Sequence, residues 1–224
     1  MISYVTVRYD ARERGRVAFV TIDNAKKLNS LTSQVMGQLT DLFHGLAADL
    51  GLRAVVLSGA GDKAFIGGAN IDEMAALSGP AEAKAFISRV HGVCKAIRDT
   101  PVPVVAAING WCLGAGLEIA AACDLRLCAD DAVLGMPEVK LGLPSVVEAA
   151  LLPSLIGWGR TRRILMTGET FSAGDAFTGA WSKRCIHRPC WARRARNCST
   201  SCWRPNRAPS RSRRRSCSAG KSCP

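Results

Sequence analysis

The sequence predicts a layered α/β fold, because short apolar segments rich in β-branched residues alternate with longer segments of helical periodicity. Two glycine-rich segments, 64–69 and 114–116, each follow a predicted strand and precede a predicted helix. The chain has 224 residues, which is enough for one good-sized domain with a substantial core. We therefore expect one α/β body in which glycine-rich turns follow the strands.

The first part of the chain predicts a pair of strands followed by a helix and a buried strand. Residues 5–7 and 17–22 carry the β pattern, with a turn near residues 13–15. Thr32 is placed to cap a helix that continues to about residue 50, with apolar residues at helical spacing. Residues 54–57 then form an apolar run typical of a buried strand.

The later elements continue the alternation. Pro101 and Pro103 end a long helix, and Ser172 is placed to cap a short one. Helices are predicted at 71–77, 80–98, 118–123, 147–156 and 160–167, and strands at 104–108 and 125–128.

The segment Gly114-Ala115-Gly116-Leu117-Glu118 is the most informative local pattern. A helix N-terminus presents backbone N–H groups and the positive end of the helix dipole, and glycines let a ligand approach closely. Glu118 is the one polar residue of the apolar segment 118–123, where an isolated carboxylate is costly. The segment fits an anion-stabilising loop with an adjacent carboxylate, or a tight packing turn with an incidental glutamate.

If the two glycine-rich loops converge, two N–H groups can share one oxygen, which is the arrangement of an oxyanion hole. Neither loop has the ending of a phosphate-binding loop or a dinucleotide fingerprint. The body shows neither metal-ligand spacing nor a nucleophile elbow, and His44 and His91 fit solvated helix positions. These patterns disfavour nucleotide hydrolysis, hydride transfer and serine hydrolase chemistry.

Charge and cysteine are distributed unevenly along the chain. The formal charge is +12, from 30 basic and 18 acidic residues, but residues 180–224 hold 13 of the basic residues and no acid. Residues 1–179 therefore carry a net charge of −1. The four body cysteines lie among apolar neighbours and are interpreted as core residues in a reducing, cytoplasmic setting. The sequence shows neither a leader pattern nor an apolar run of membrane-spanning length.

Several segments of the body resemble the crotonase (enoyl-CoA hydratase/isomerase) superfamily. Residues 64–74, Ala-Phe-Ile-Gly-Gly-Ala-Asn-Ile-Asp-Glu-Met, look like its first oxyanion loop. Its second signature is matched, in order and spacing, by 109–110, 114–118, 123–124 and 136–138. The resemblance covers residues 3–178, and it joins two loops and two acids rather than a lone glycine motif.

The resemblance implies a spiral of ββα units that binds an acyl-coenzyme A thioester. It implies that the N–H groups of Ala69 and Ala115 bind the thioester oxygen, and that Glu118 and Glu138 hold water and move protons at the α and β carbons. No separate cofactor or metal is implied, because coenzyme A is part of the substrate. Intact relatives are expected to form homotrimers or dimers of trimers in the cytoplasm, without membrane or nucleic-acid partners.

The resemblance also assigns residues to the coenzyme A portion of the ligand. Lys26, Lys27 and Leu28 match the loop that lies along coenzyme A, although for the lysines alone a solvated loop explains the pattern as well. The residues that match its adenine and pantetheine end are Gly67, Ala69, Asn70, Ile71 and Asp72.

Two departures from the family pattern affect the expected reaction. Ala115 stands where a glycine is more usual, which a backbone donor tolerates if its angles allow. Pro144 is followed by residues 145–150, Ser-Val-Val-Glu-Ala-Ala, in place of a glycine-rich segment. Glu148 there is either a third acid in the site or an exposed helix residue. Hydration of a trans-2-enoyl-CoA is the predicted reaction, with isomerisation or another crotonase reaction as the alternative.

The resemblance ends near residue 179, and residues 180–224 form a basic tail with six cysteines and three tryptophans. A nucleic-acid-binding arm, which would suit a noncatalytic RNA-binding homologue, and a metal-binding tail are two interpretations. We favour a third interpretation, a frameshift in the gene. If the codons end in G or C, reading them one base out of frame turns residues 179–183 into Gly-Leu-Val-Glu. The same shift turns residues 196–208 into a leucine- and glutamate-rich helix. The sequence thus predicts a core at 1–179 and a disordered tail at 180–224 in place of the family's C-terminal helices.

Overall fold

The computed structural model describes residues 3–13, 15–145 and 147–182, and the backbone of residues 184–186. Within these residues, strands and helices alternate as predicted. The strands are β1 (Val5–Arg12), β2 (Gly15–Ile22), β3 (Leu52–Gly59), β4 (Ala64–Ile66), β5 (Val104–Ile108), β6 (Trp111–Leu113), β7 (Leu125–Ala129), β8 (Val133–Gly135), β9 (Thr170–Ser172) and β10 (Arg184–Ile186). The α-helices are α1 (Ser33–Ala48), α2 (Ile71–Ala75), α3 (Pro80–Asp99), α4 (Ala115–Ala122), α5 (Leu152–Thr167) and α6 (Ala173–Thr178).

The larger sheet has the strand order β1-β2-β3-β5-β7-β10. The hairpin of β1 and β2 is antiparallel, with Val5 opposite Ile22, as the sequence predicts. The remaining neighbours pair in parallel. Parallel pairing requires crossovers, and α1 and α3 lie on two of them and pack against each other.

The smaller sheet has the order β4-β6-β8-β9 and consists of three-residue strands. Its first three strands run parallel, and β9 is antiparallel to β8. Residues 64–66, predicted as part of the first glycine-rich loop, form β4 because they pair with β6, so that loop is shorter than predicted. Each glycine-rich loop continues directly from one of these strands, β4 or β6. The smaller sheet therefore holds the two loops side by side.

Two helices begin at the caps that the sequence predicts. The Thr32 side chain accepts a hydrogen bond from the Val35 N–H at 3.2 Å, and Ser172 forms a capping box with Asp175 at the start of α6. All eight residues of α4 are buried. A helix without an exposed face must lie inside the core, and this places Glu118 there as well.

The helix predicted at 147–156 is only partly correct. Residues 149–151 form a 3₁₀ turn, and α5 begins at Leu152 and runs through the separately predicted helix 160–167. Gly157, with φ of 78°, kinks α5. Ahead of this 3₁₀ turn, the backbone N–H groups of Glu148 and Ala149 bond to a side chain elsewhere in the fold.

The first described residues of the predicted tail lie against the body. Trp181 and Ser182 are buried, and the Trp181 carbonyl accepts a 2.7 Å hydrogen bond from Arg126 Nε. The backbone of β10 pairs with β7. The predictions for residues 187–224 lie outside the described residues. None of the described helices combines the length and apolar character needed to cross a membrane.

Candidate active site

A cavity of about 210 Å³ lies between the first turn of α4, the loop after β4, helix α3 and the 3₁₀ helix Pro137–Leu141. Most of its wall is apolar. It is lined by Gly67, Gly68, Ala69, Ile71, Met74, Phe86, Ile87, Val90, Leu113, Gly114, Ala115, Glu118, Pro137, Glu138, Leu141, Leu143, Pro144, Ser145 and Val147. The four residues predicted as catalytic, Ala69, Ala115, Glu118 and Glu138, all belong to this wall.

The loop after β4 is held by a short parallel bridge between Leu31 and Ala69. The Leu31 N–H donates to the Gly68 carbonyl, and the Asn70 N–H donates to the Leu31 carbonyl, both at 2.9 Å. Successive backbone groups of an extended segment point to opposite sides, so the Ala69 N–H points away from Leu31. Ala69 lines the cavity, where its N–H is suited to donate to a ligand.

The second loop brings a helix N-terminus to the same cavity. Ala115 is the first residue of α4, so its N–H has no acceptor within the helix. Gly114 precedes it with φ of 52°, a conformation that favours glycine. Gly116 packs so closely on β4 that an added Cβ would lie 2.4 Å from the Ile66 carbonyl oxygen. The two glycines thus have different roles, one in the turn and one in packing.

Glu118 is 3% exposed, and its carboxylate is held by backbone donors. Its Oε1 accepts from the N–H groups of Glu148 at 2.9 Å and Ala149 at 3.0 Å. Burial raises the pKa of Glu118 to about 7, and the charges of Glu138 and Glu148 act in the same direction. The two backbone hydrogen bonds oppose that rise. At neutral pH both protonation states of Glu118 are therefore populated.

Glu138 contributes to the same cavity wall from the 3₁₀ helix and is half-buried. Burial also raises its pKa, against a weak hydrogen bond from Ser145 Oγ to Oε2 at 3.4 Å. A Cβ on Gly114 would lie 2.5 Å from Glu138 Oε1. The missing side chain at Gly114 therefore makes the room that the carboxylate occupies beside the α4 N-terminus.

Glu148 fits neither sequence interpretation, since it is neither exposed nor an acid that lines the cavity. It is 5% exposed, and its carboxylate contacts His91 Nδ1 at 2.6 Å and Arg98 Nη1 at 3.2 Å. Sequence reasoning missed this cluster. The one available signal was the spacing of His91 and Arg98 by seven residues on a predicted helix, which places both on one face.

The predicted coenzyme A residues form two segments that lie against each other. The Gly67 N–H donates to the Leu28 carbonyl at 2.8 Å, and Lys27 Nζ lies 2.7 Å from Asp72 Oδ2 in an exposed ion pair. Lys26 is exposed on the same short loop. Gly67 and Ile71 line the cavity, whereas Lys26, Lys27, Leu28 and Asp72 lie outside its wall.

Asn70 has a structural role in this arrangement. Its Oδ1 accepts from the Glu73 N–H at 2.8 Å and caps α2, and its Nδ2 donates to Ser30 Oγ at 3.2 Å. Its side chain is thus occupied within the protein, so the segment offers a ligand its backbone and the 66% exposed Ile71.

The body cysteines are buried free thiols, as predicted: Cys94, Cys112, Cys123 and Cys128. In the part of the chain that the structure describes, no three His, Cys, Asp or Glu side chains group in a way that could hold a metal ion. The cavity wall includes the side chains of Glu118, Glu138 and Ser145, and it includes Ala69 and Ala115, whose backbone N–H groups are suited to donate to a ligand. Such a set can stabilise a carbonyl oxygen that gains negative charge and can move protons beside it.

Comparisons with known proteins identify the family of the chain. Residues 12–180 match the model of the family described as Enoyl-CoA hydratase/isomerase. The chain is 35% identical over 165 residues to a short-chain-enoyl-CoA hydratase of Clostridium acetobutylicum, covering 73% of this chain and 63% of that protein. It is 34% identical over 163 residues to a crotonyl-CoA hydratase of Syntrophomonas wolfei, covering 72% and 62%.

Solved structures show the same fold. A crystal structure of an enoyl-CoA hydratase/carnithine racemase from Magnetospirillum magneticum superposes with a TM-score of 0.87 at 27% identity, covering 97% of this chain and 81% of that one. An enoyl-CoA hydratase from Bacillus anthracis gives 0.84 at 28% identity, covering 89% and 76%. The predicted crotonase-type α/β fold is thereby confirmed. The chain spans somewhat less than two thirds of the length of these two curated relatives. With the family model matched over residues 12–180, the chain belongs to the enoyl-CoA hydratase/isomerase family.

Proposed function

We propose that this chain is an enoyl-CoA hydratase that adds water across the double bond of a trans-2-enoyl-CoA. The observation that carries the proposal is the pair of carboxylates, Glu118 and Glu138, on the wall of one apolar cavity beside a helix N-terminus. Hydration needs both a site for water and two proton transfers, which two carboxylates in different environments can serve. The printed names of the Clostridium and Syntrophomonas relatives support the same reaction.

In the proposed mechanism the thioester oxygen accepts hydrogen bonds from the N–H groups of Ala69 and Ala115. Attack of water at C3 moves electron density through C2 to this oxygen and forms an enolate. Donors fixed before the reaction stabilise that charge without reorganising, and the adjacent α4 N-terminus adds its dipole. Ala115 serves as well as glycine in this role because only its backbone participates.

The two carboxylates would hold the water and exchange its protons. As the C3–O bond forms, one carboxylate accepts a proton from water and the other delivers a proton to C2, so that the product gains one H and one OH. Glu118, with a pKa of about 7, can act as donor or acceptor near neutral pH. After release of the product, proton exchange between the two acids or with water restores the starting state.

Coenzyme A would lie along the segments Lys26–Leu28 and Gly67–Asp72. Lys26 would attract its phosphates, and Lys27 would do so after leaving its exposed ion pair with Asp72, which is weak enough to exchange. We propose that no cofactor is needed beyond the coenzyme A of the substrate. A homotrimeric assembly and a cytoplasmic location belong to the same proposal, by analogy with the family.

The proposal is tested by hydration of crotonyl-CoA, followed by loss of enoyl absorbance, with the full chain and with Glu118→Gln and Glu138→Gln. Each substitution should lower kcat by about 10²-fold or more, the scale of a lost proton-transfer group. Glu13→Gln is the matched control, since Glu13 is exposed at the β1–β2 turn, and it should keep full activity.

Two outcomes would contradict the proposal. Turnover that survives both glutamine substitutions would remove the carboxylates from the mechanism. Conversion of a 3-enoyl-CoA to the 2-enoyl-CoA without hydration would indicate an isomerase that uses the same enolate.

A further inference from the structure

We propose that Glu148 is a positioning residue, whose carboxylate, anchored to His91 and Arg98 on α3, holds the backbone turn that binds Glu118. The expected effect on kcat rests on the proposed function. The expected effect on the titration of Glu118 follows from the contacts of Glu148 and does not depend on the reaction. Glu148 itself lies outside the cavity wall and would not touch the substrate.

The contacts form a continuous chain from α3 to the candidate active site. The Glu148 carboxylate meets His91 Nδ1 at 2.6 Å and the Arg98 guanidinium nitrogens at 3.2 and 3.4 Å. The backbone of the same residue turns toward α4, and its N–H and that of Ala149 donate to Glu118 Oε1. One residue thus contacts α3 through its side chain and the Glu118 carboxylate through its backbone.

The local backbone explains why an anchor is needed. Residues 149–151 form a single 3₁₀ turn, and α5 begins only at Leu152, so regular helix does not fix the two donors. A buried carboxylate held by two partners has few alternative positions, because withdrawing either partner leaves a buried charge incompletely compensated. The side-chain contacts of Glu148 therefore determine where its N–H points.

The groups around Glu118 separate positioning from a simple charge effect. Its titratable neighbours are Glu138 on the 3₁₀ helix, Glu148 on the turn and the buried Cys94 thiol of α3. The hydrogen bond from the Glu148 N–H lowers the pKa of Glu118 more than the charge of the Glu148 carboxylate raises it. Loss of the turn should thus raise the pKa of Glu118, whereas loss of the charge alone should lower it.

The test is a carboxyl ¹³C NMR titration of Glu118 in the full chain, assigned with Glu118→Gln, in the wild type and in Glu148→Ala. If Glu148 positions the turn, its removal should move the Glu118 midpoint upward by about one pH unit, the scale of one hydrogen bond to a charged group. The value of kcat for crotonyl-CoA should fall by about tenfold or more, with KM little changed, because the oxyanion donors are untouched.

Glu148→Gln is the matched control, since it removes the charge but can still bond to its partners. It should leave the Glu118 midpoint unchanged or lower it. If Glu148→Ala folds poorly, His91→Ala loosens the same anchor from a half-exposed position and should also raise the midpoint, by a smaller amount. A midpoint that falls or stays fixed in the folded alanine variants overturns the inference.

The titration does not need turnover, so failure of the two proposals can be distinguished. An upward shift without any crotonyl-CoA hydration would leave the positioning role intact and reject the hydratase. Hydration of crotonyl-CoA with an unshifted Glu118 midpoint would support the hydratase and reject the positioning role of Glu148.

Discussion

The two carboxylates of the candidate site are the same residue type in contrasting surroundings. Glu118 stands on a fully buried helix and is held by two backbone N–H groups, so its position is rigid. Glu138 stands on a 3₁₀ helix, half-buried, with a long hydrogen bond from Ser145 and a glycine that makes room for it. The contrast indicates that one acid is fixed by the fold, while the other depends on the space left by Gly114.

The largest expected effect comes from closing that space. Gly114→Ala would place a Cβ 2.5 Å from Glu138 Oε1 at a backbone angle that alanine rarely adopts. The Glu138 carboxylate would have to move away, and we expect kcat/KM for crotonyl-CoA to fall by about 10²-fold or more. Gly37→Ala is the control, because nothing lies near its added Cβ on α1. Activity close to wild type in Gly114→Ala would show that Glu138 does not need this position.

The second effect is on folding stability and concerns the burial of the Glu118 carboxylate. The folded state raises the pKa of Glu118 from 4.5 to about 7, so the folded protein binds the proton more tightly than the unfolded chain. This contribution to stability is fully present below pH 4.5 and is lost as the pH rises through 7. We therefore expect Glu118→Gln to be more stable than the wild type at pH 8, by about 3 kcal/mol.

Urea unfolding of both proteins between pH 4 and 8 measures this difference, which should disappear at the acidic end. Glu138→Gln should change stability in the same direction but by less, because Glu138 is less buried. An equal difference for Glu118→Gln at every pH would contradict the assignment of a raised pKa to Glu118.

The smallest effect concerns the contact of Glu138 with Ser145. This hydrogen bond lowers the pKa of Glu138, so Ser145→Ala should raise that pKa and shift upward the limb of the pH–rate profile that reports Glu138. At 3.4 Å the bond is long, and we expect kcat at neutral pH to change by less than about threefold. Ser3→Ala is the control, because Ser3 is an exposed serine before β1 that lies outside the cavity wall. A loss of activity as large as that expected for Gly114→Ala would contradict this minor role and place Ser145 among the catalytic residues.

The sequence predicted the elements whose signals are local. The Thr32 cap, the β1–β2 hairpin and the apolar run before the α4 N-terminus depend on neighbouring residues, and the structure has all three. The resemblance to the crotonase superfamily selected residues 69, 115, 118 and 138, and these share one cavity. Their predicted roles await the experiments above.

The sequence did not predict features created by contacts between distant segments. The smaller sheet has strands of three residues, too short for an alternating pattern to be recognised. The late start of α5 could not be predicted either, because the segment 147–156 has a helical pattern, and the contact of the Glu148 and Ala149 N–H groups with Glu118 joins segments about thirty residues apart. Glu148 was misread for the same reason, since its partners lie on α3.

The complete burial of α4 has a consequence for amide hydrogen exchange. A helix with one solvated face exchanges some of its amide protons through local fraying, but every residue of α4 is surrounded by the core. The amides of its last turn should exchange only when the whole body opens, so that their protection reports the global free energy of unfolding. The exchange rate of these amides would then be set by the stability of the core and not by motions of the site beside the helix.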